Sequence, residues 1–172
     1  MNCFKNLLVS LFIFTQVYCD QVCYDGYGCF TTEAPFGGTV ERPFSLLPEK
    51  PMRINTQFYL YNRLASREII TSEDLTGSFN KTAPVKFIAH GFYNTGDKQW
   101  ILDMKDAFLK RENANIIVVD WSGGSGLPFT LAVANTQVVA VDISKLIEKI
   151  ISETNLTVKD FHLVGHSLGK AY

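Results

Sequence analysis

The chain is 172 residues long, carries a formal net charge of -1, and is 47% hydrophobic and 19% charged. That length suffices for one domain with a real core. The near-neutral balance leaves no basic footprint, so a nucleic-acid partner is not expected.

Lys5 precedes the apolar stretch Leu7-Leu8-Val9-Ser10-Leu11-Phe12-Ile13-Phe14, with Val17 and Cys19 before a cleavage point. Residues 1–19 therefore read as a secretory signal peptide, with maturation before Asp20 and an extracellular destination. The run is too short for a transmembrane anchor, because about 30 Å of hydrocarbon needs roughly 20 residues. Cys3 and Cys19 leave with the signal. Cys23 and Cys29 remain as an even pair in an oxidising compartment, and a disulfide between them is expected. Asn80-Lys81-Thr82 and Asn155-Leu156-Thr157 are N-glycosylation sequons.

From 20 to 51 the chain is rich in Gly, Pro, Thr and Cys, which predicts an irregular, disulfide-pinned lead-in. Residues 55–61, dense in β-formers, predict a strand. A second strand is expected over 85–89, started by Pro84. A helix follows over 97–111, with Trp100, Ile101, Met104, Ala107 and Phe108 on one face. Residues 115–120 form a continuous apolar run, the pattern of a strand covered on both faces. A loop over 122–129 with three glycines leads into a long helix striped by Val139, Ile143, Leu146, Ile147 and Ile150. Residues 161–164 predict a last strand. Strand, helix, strand, helix, strand implies right-handed crossovers and a largely parallel α/β sheet with helices on both faces. Residues 20–172 form one domain on this reading.

The last strand enters Gly165-His166-Ser167-Leu168-Gly169, a G-x-S-x-G turn. Such a turn exposes a serine oxygen at the top of a sheet and starts a helix at once behind it. Ser167 is the candidate nucleophile. An acyl-transfer oxyanion then needs two N–H donors, and the Leu168 backbone supplies one at the start of the elbow helix. The other comes from His90-Gly91-Phe92 after the 85–89 strand, where the Phe92 N–H is the natural donor and Gly91 allows close approach.

Taken together, Val22-Cys23-Tyr24 with Gly28-Cys29-Phe30, Glu41-Arg42-Pro43, Ile88-Ala89-His90-Gly91-Phe92, Val118-Val119-Asp120-Trp121 and the elbow resemble the secreted pancreatic-type triacylglycerol lipases. The resemblance runs from about residue 22 to residue 169. It implies an α/β-hydrolase fold, a Ser…Asp…His triad in that order, a lid loop, and an acylglycerol or phospholipid substrate at a lipid–water interface. It also implies that full-length relatives use a calcium ion and a protein cofactor met by a C-terminal β-sandwich, with no metal or cofactor held in this chain. The paired N-terminal cysteines favour the pancreatic branch over phospholipases A1 of the same superfamily. Lys170 departs from the family, which continues with Ala and His after Gly169.

Only Lys170, Ala171 and Tyr172 follow the elbow, so the expectation is an incomplete lipase domain, inactive and poorly folded alone. The histidines present do not fill the gap. His90 reads as a packing or hydrogen-bonding group, His166 points away from the serine, and His162 reads as core. Asp120 suits a structural carboxylate, since the family acid comes after the nucleophile. A non-catalytic lipid-binding or regulatory protein on a lipase scaffold is the competing reading, and the intact Ser167 speaks against it.

Overall fold

The computed structural model describes residues 21–34, 36–40 and 43–170. The expected signal peptide at 1–19 and the expected cleavage before Asp20 lie outside them. The lead-in expected to be irregular opens with a hairpin, β1 (Gln21–Tyr24) and β2 (Gly28–Thr31), paired antiparallel with Cys23 opposite Cys29. Gly26 and Gly28 supply its turn, with φ of 70° and 86°. The disulfide Cys23–Cys29 closes across the two strands. We expect a linked peptide in a non-reducing digest, and reduction should cost about 2.4 kcal/mol on the chain-entropy estimate. Free thiols at both positions, or no change in thermal midpoint on reduction, would contradict this.

A helical turn, α1 (Pro51–Ile54), ends at Asn55 in the left-handed conformation, φ 51°. That cap delays the next strand, β3 (Gln57–Tyr61), by two residues against expectation. The remaining elements are β4 (Ser66–Ile70), β5 (Val85–Ala89), α2 (Gln99–Arg111), β6 (Asn115–Asp120), α3 (Phe129–Glu153) and β7 (Phe161–Gly165). They form a five-stranded sheet in the order β4-β3-β6-β5-β7. β6, β5 and β7 run parallel, whereas β3 pairs antiparallel with both β4 and β6. The fold is α/β as expected, but the sheet is mixed rather than largely parallel. The unforeseen β4 returns directly from β3, and a return that short forces an antiparallel pair.

Every residue of β6 is buried, as its unbroken apolar run predicts. Ile117 and Val119 join Phe58, Leu60, Phe87 and the α3 residues Val139, Ile143, Leu146 and Ile150 in one core cluster. Ile116 and Val118 join Ile88 and Ile101 in a second, flanked by Trp100, Met104 and Phe108 of α2. Helices therefore cover both faces, and each fully buried aliphatic side chain contributes about 1.5–3 kcal/mol. Ala107, expected on the inward face of α2, is exposed, and Leu109 packs there instead. Among the described residues α3 is long and apolar enough to cross a membrane by length and composition. Its apolar stripe lies on the sheet, the position of a core helix.

The hairpin is fastened to this body. Tyr27 donates its hydroxyl to Asp142 Oδ1 at 2.6 Å, and Lys145 Nζ sits 3.4 Å from the Tyr27 ring centroid. Tyr24 donates to the Pro48 carbonyl at 2.6 Å.

Candidate active site

β7 ends at Gly165, and Ser167 opens a short 3₁₀ turn, Ser167–Lys170. Ser167 has φ 55°, a left-handed conformation that costs a non-glycine residue about 1–3 kcal/mol and recurs at functional sites. The turn is held from both sides. His166 N–H donates to the Ala89 carbonyl at 3.1 Å, and Gly169 N–H donates to the His166 carbonyl at 2.9 Å. A Cβ on Gly165 would stand 1.9 Å from the Gly169 carbonyl oxygen, and one on Gly169 would stand 2.6 Å from that of Ala89. Both glycines are therefore steric necessities of the turn, which leaves the Ser167 side chain exposed.

The loop after β5 reaches this serine. A Cβ on Gly91 would stand 2.7 Å from Ser167 Cβ, 2.7 Å from the His166 carbonyl oxygen and 3.2 Å from Ser167 Oγ. Only hydrogen fits there. Beyond it, Phe92 meets Phe129 edge-on with ring centroids 5.0 Å apart. Tyr93 N–H donates to the Ser125 carbonyl at 2.7 Å, tying the β5 loop to the loop after β6.

His90 anchors the loop from beneath and is fully buried. Its ring stacks on Trp121 with centroids 5.5 Å apart. Nδ1 lies 2.9 Å from the Gly91 carbonyl oxygen. That oxygen only accepts, so Nδ1 carries the hydrogen. Nε2 lies 3.1 Å from the Trp121 backbone N–H and 3.2 Å from Asp120 Oδ1. Trp121 Nε1 in turn donates to the His90 carbonyl at 2.9 Å. Asp120 also accepts from Ser122 N–H at 3.0 Å. Burial alone would raise its pKa, but hydrogen bonds from Ser122 and the Gly96 backbone outweigh it and hold the carboxyl well below the usual range. His90 is thus the packing group and Asp120 the structural carboxylate that the sequence indicated.

A stability prediction follows from the sign of that shift. Between the ordinary carboxylate value of about 4 and the lower folded value, the unfolded chain binds more protons than the folded one. The contribution of Asp120 is therefore complete above about pH 5 and is lost as pH falls through the folded pKa. Urea unfolding of the wild type and Asp120→Asn from about pH 6 to pH 2 should show the gap between them narrowing with acid. A gap that stays constant or widens would refute it.

The other histidines stand elsewhere. His166 packs its ring against Trp100 with centroids 5.2 Å apart, pointing away from the serine as expected. His162 corrects the sequence reading. Among the described residues it is exposed and meets the edge of the Phe108 ring, 6.1 Å between centroids. All three histidines of the chain are thereby placed, and none is hydrogen-bonded to Ser167. The two sequons differ. Asn80 is half-buried in a local turn, its Oδ1 accepting from Thr82 N–H at 3.1 Å and Thr82 Oγ1 at 3.0 Å. Asn155 is exposed in the turn after α3.

Sequence reasoning missed an apolar rim beside the serine. Tyr93 is 73% exposed, Leu127 76% and Phe129 50%, and all three stand at the end of the sheet where Ser167 lies. Their signal was present: large apolar residues in loops that otherwise hold Gly, Ser and Asn.

The fold and this turn define an α/β protein with an exposed serine at the carboxyl end of a parallel strand and a glycine loop pressed against it. The chain belongs to the Lipase family, whose profile matches residues 20–171. It is 36% identical over 154 residues to pancreatic triacylglycerol lipase of Myocastor coypus, covering 87% of this chain and 34% of that protein. With pancreatic lipase-related protein 2 of Cavia porcellus it shares 37% over 155 residues, covering 87% and 36%. With the inactive pancreatic lipase-related protein 1 of Mus musculus it shares 36% over 167 residues, covering 94% and 35%. The chain spans about a third of the length of the curated relatives it matches.

Proposed function

We propose that the protein is a secreted serine carboxylic-ester hydrolase acting on acylglycerols, with Ser167 as nucleophile and the Phe92 and Leu168 N–H groups as oxyanion donors. The observation that carries the reading is the contact of Gly91 with Ser167, which brings the β5 loop within reach of whatever bonds to the serine oxygen. Among the described residues neither the Phe92 nor the Leu168 N–H has a hydrogen-bond acceptor, so both remain available to a developing oxyanion. In the reaction the serine oxygen attacks the ester carbonyl carbon and its proton passes to a base. The tetrahedral oxyanion collapses and expels the alcohol, and water then releases the acid from the acyl-serine. His90, His162 and His166 are all committed elsewhere, so the base is none of them.

The apolar rim supports a substrate with a long acyl chain. Secretion rests on the signal-like residues 1–19 and on the cross-strand disulfide, and glycans at Asn80 and Asn155 belong to the same proposal. The resemblance attaches calcium to full-length relatives. Among the described residues no three His, Cys, Asp or Glu side chains come together for a metal.

A non-catalytic lipid-binding role is the second reading, since the inactive mouse relative is as similar as the lipase from Myocastor. Chemical rescue separates the two. Added imidazole should give the folded chain a turnover of p-nitrophenyl butyrate that Ser167→Ala and Gly91→Val both lack. Equal rates for all three proteins in imidazole would overturn the hydrolase reading.

A further inference from the structure

We propose that His90 is a positioning residue for oxyanion binding: its Nδ1–H holds the Gly91 carbonyl and thereby aims the Phe92 N–H at the space beside Ser167 Oγ. This inference rests on the reading of Phe92 as an oxyanion donor. The Gly91 carbonyl and the Phe92 N–H belong to one peptide unit, which is planar and trans, so they point in opposite directions. Fixing the carbonyl therefore fixes the donor. His90 Nδ1 lies 2.9 Å from the Gly91 oxygen, and the ring is fully buried. The carbonyl is drawn inward and the N–H is turned outward, where Ser167 is exposed.

Further contacts hold the ring in this sense. The Trp121 N–H donates to Nε2 at 3.1 Å, which requires a lone pair there and leaves the hydrogen on Nδ1. The other neighbour of Nε2, Asp120 Oδ1 at 3.2 Å, takes its hydrogens from Ser122 and the Gly96 backbone. Turning the ring over would break the Gly91 and Trp121 bonds at once.

The next N–H along the loop is already taken. Tyr93 stands at φ 52° and donates to the Ser125 carbonyl at 2.7 Å. The Phe92 N–H has no acceptor among the described residues. A carbonyl that accepts a hydrogen bond also polarises the N–H of its own peptide, so His90 sharpens the donor as well as aiming it.

The wild-type chain carries the first test. Gly91-Phe92 is the single Gly-Phe dipeptide in the sequence. Glycine labelled with carbon-13 at the carbonyl and phenylalanine labelled with nitrogen-15 therefore isolate this one peptide in a carbonyl-to-amide correlation spectrum. Histidine labelled with nitrogen-15 reports which ring nitrogen of His90 carries hydrogen, and Nδ1 is expected.

His90→Asn and His90→Gln then separate aim from packing, because both lose the ring. The asparagine amide nitrogen stands where Nδ1 does and can donate to the Gly91 carbonyl. The glutamine amide reaches the place of Nε2 and serves Trp121 instead. With imidazole as base, p-nitrophenyl butyrate as substrate and the Ser167→Ala rate subtracted, kcat of His90→Gln should fall by more than about tenfold, with KM within about twofold. His90→Asn should stay within about threefold of the wild type. The Gly91-Phe92 resonance should move in His90→Gln and hold in His90→Asn.

Equal losses in the two variants, a larger loss in His90→Asn, a resonance indifferent to His90→Gln, or hydrogen on Nε2 alone would each overturn the proposal. Circular dichroism checks that the variants fold, and should either fail, the wild-type ring decides. Failure of the hydrolase reading looks different. Wild-type turnover in imidazole no higher than that of Ser167→Ala would refute the donor role and the positioning role with it, while the resonance would still show whether His90 holds the peptide.

Discussion

Gly165→Ala is expected to destabilise the chain by about 3 kcal/mol or more, which is severe for the addition of one methyl. The new Cβ would lie 1.9 Å from the Gly169 carbonyl oxygen, 2.4 Å from its carbonyl carbon and 2.8 Å from the Lys170 nitrogen. All three are backbone atoms, so no rotamer change makes room. Moving them breaks the turn that Ser167 begins, and Gly169 in turn rests on the Ala89 carbonyl. A fitting control is Gly126→Ala, where an added Cβ meets nothing within 4 Å and the effect should stay within about 0.5 kcal/mol. Urea titration of the three proteins measures the difference. A Gly165→Ala midpoint as high as that of Gly126→Ala would mean that the turn is not built as described.

Without added base, the purified chain should hydrolyse p-nitrophenyl butyrate no faster than Ser167→Ala. Each of its histidines has a place: His90 beneath the β5 loop, His162 beside the Phe108 ring, His166 against Trp100. Loss of the base in a serine hydrolase lowers kcat on the order of 10⁶, leaving roughly 10³–10⁴ over water from the oxyanion hole and binding. That remnant does not need the serine oxygen, so it should survive in Ser167→Ala and fall in Gly91→Val. A wild-type rate well above that of Ser167→Ala in plain buffer would show that some group in the chain accepts the serine proton.

The parts of this fold legible in the sequence are those with one strong local cause. Six consecutive residues at 115–120 could only be a strand buried on both faces, and β6 is that strand. Gly165 and Gly169 around Ser167 announced a sharp turn, and the positive φ of Ser167 is its consequence. What stayed hidden depends on partners distant in sequence. β4 reads Ser66-Arg67-Glu68-Ile69-Ile70, too polar to signal a strand, and it exists because β3 offers an edge and Arg67 finds both Asp97 and the Tyr59 ring. The β1–β2 strands have four residues each, too few for a periodicity, and their docking relies on Asp142 and Lys145 of α3. His162 was read as core from the apolar company it keeps in sequence. Among the described residues β7 stands at the margin of the sheet, a position that no local pattern encodes.

The two-sided burial of β6 carries a problem of alignment. Ile116 and Val118 serve one core, Ile117 and Val119 the other, and a slip by one residue would exchange the pairs. All four are β-branched and alike in shape, so oil-like burial hardly distinguishes the correct alignment from its neighbours. The distinction falls to the two polar residues that bracket them. At one end Asn115 accepts from Asn62 and from the Asn80 N–H and donates to the Asn80 and Ala83 carbonyls. At the other, Asp120 meets His90 and Ser122. The strand is located as a ruler is, by its two end marks. An amide about 17 Å from the far end of the strand thus helps decide how high Ala89 stands beside Val119, and with it how closely Gly91 approaches Ser167.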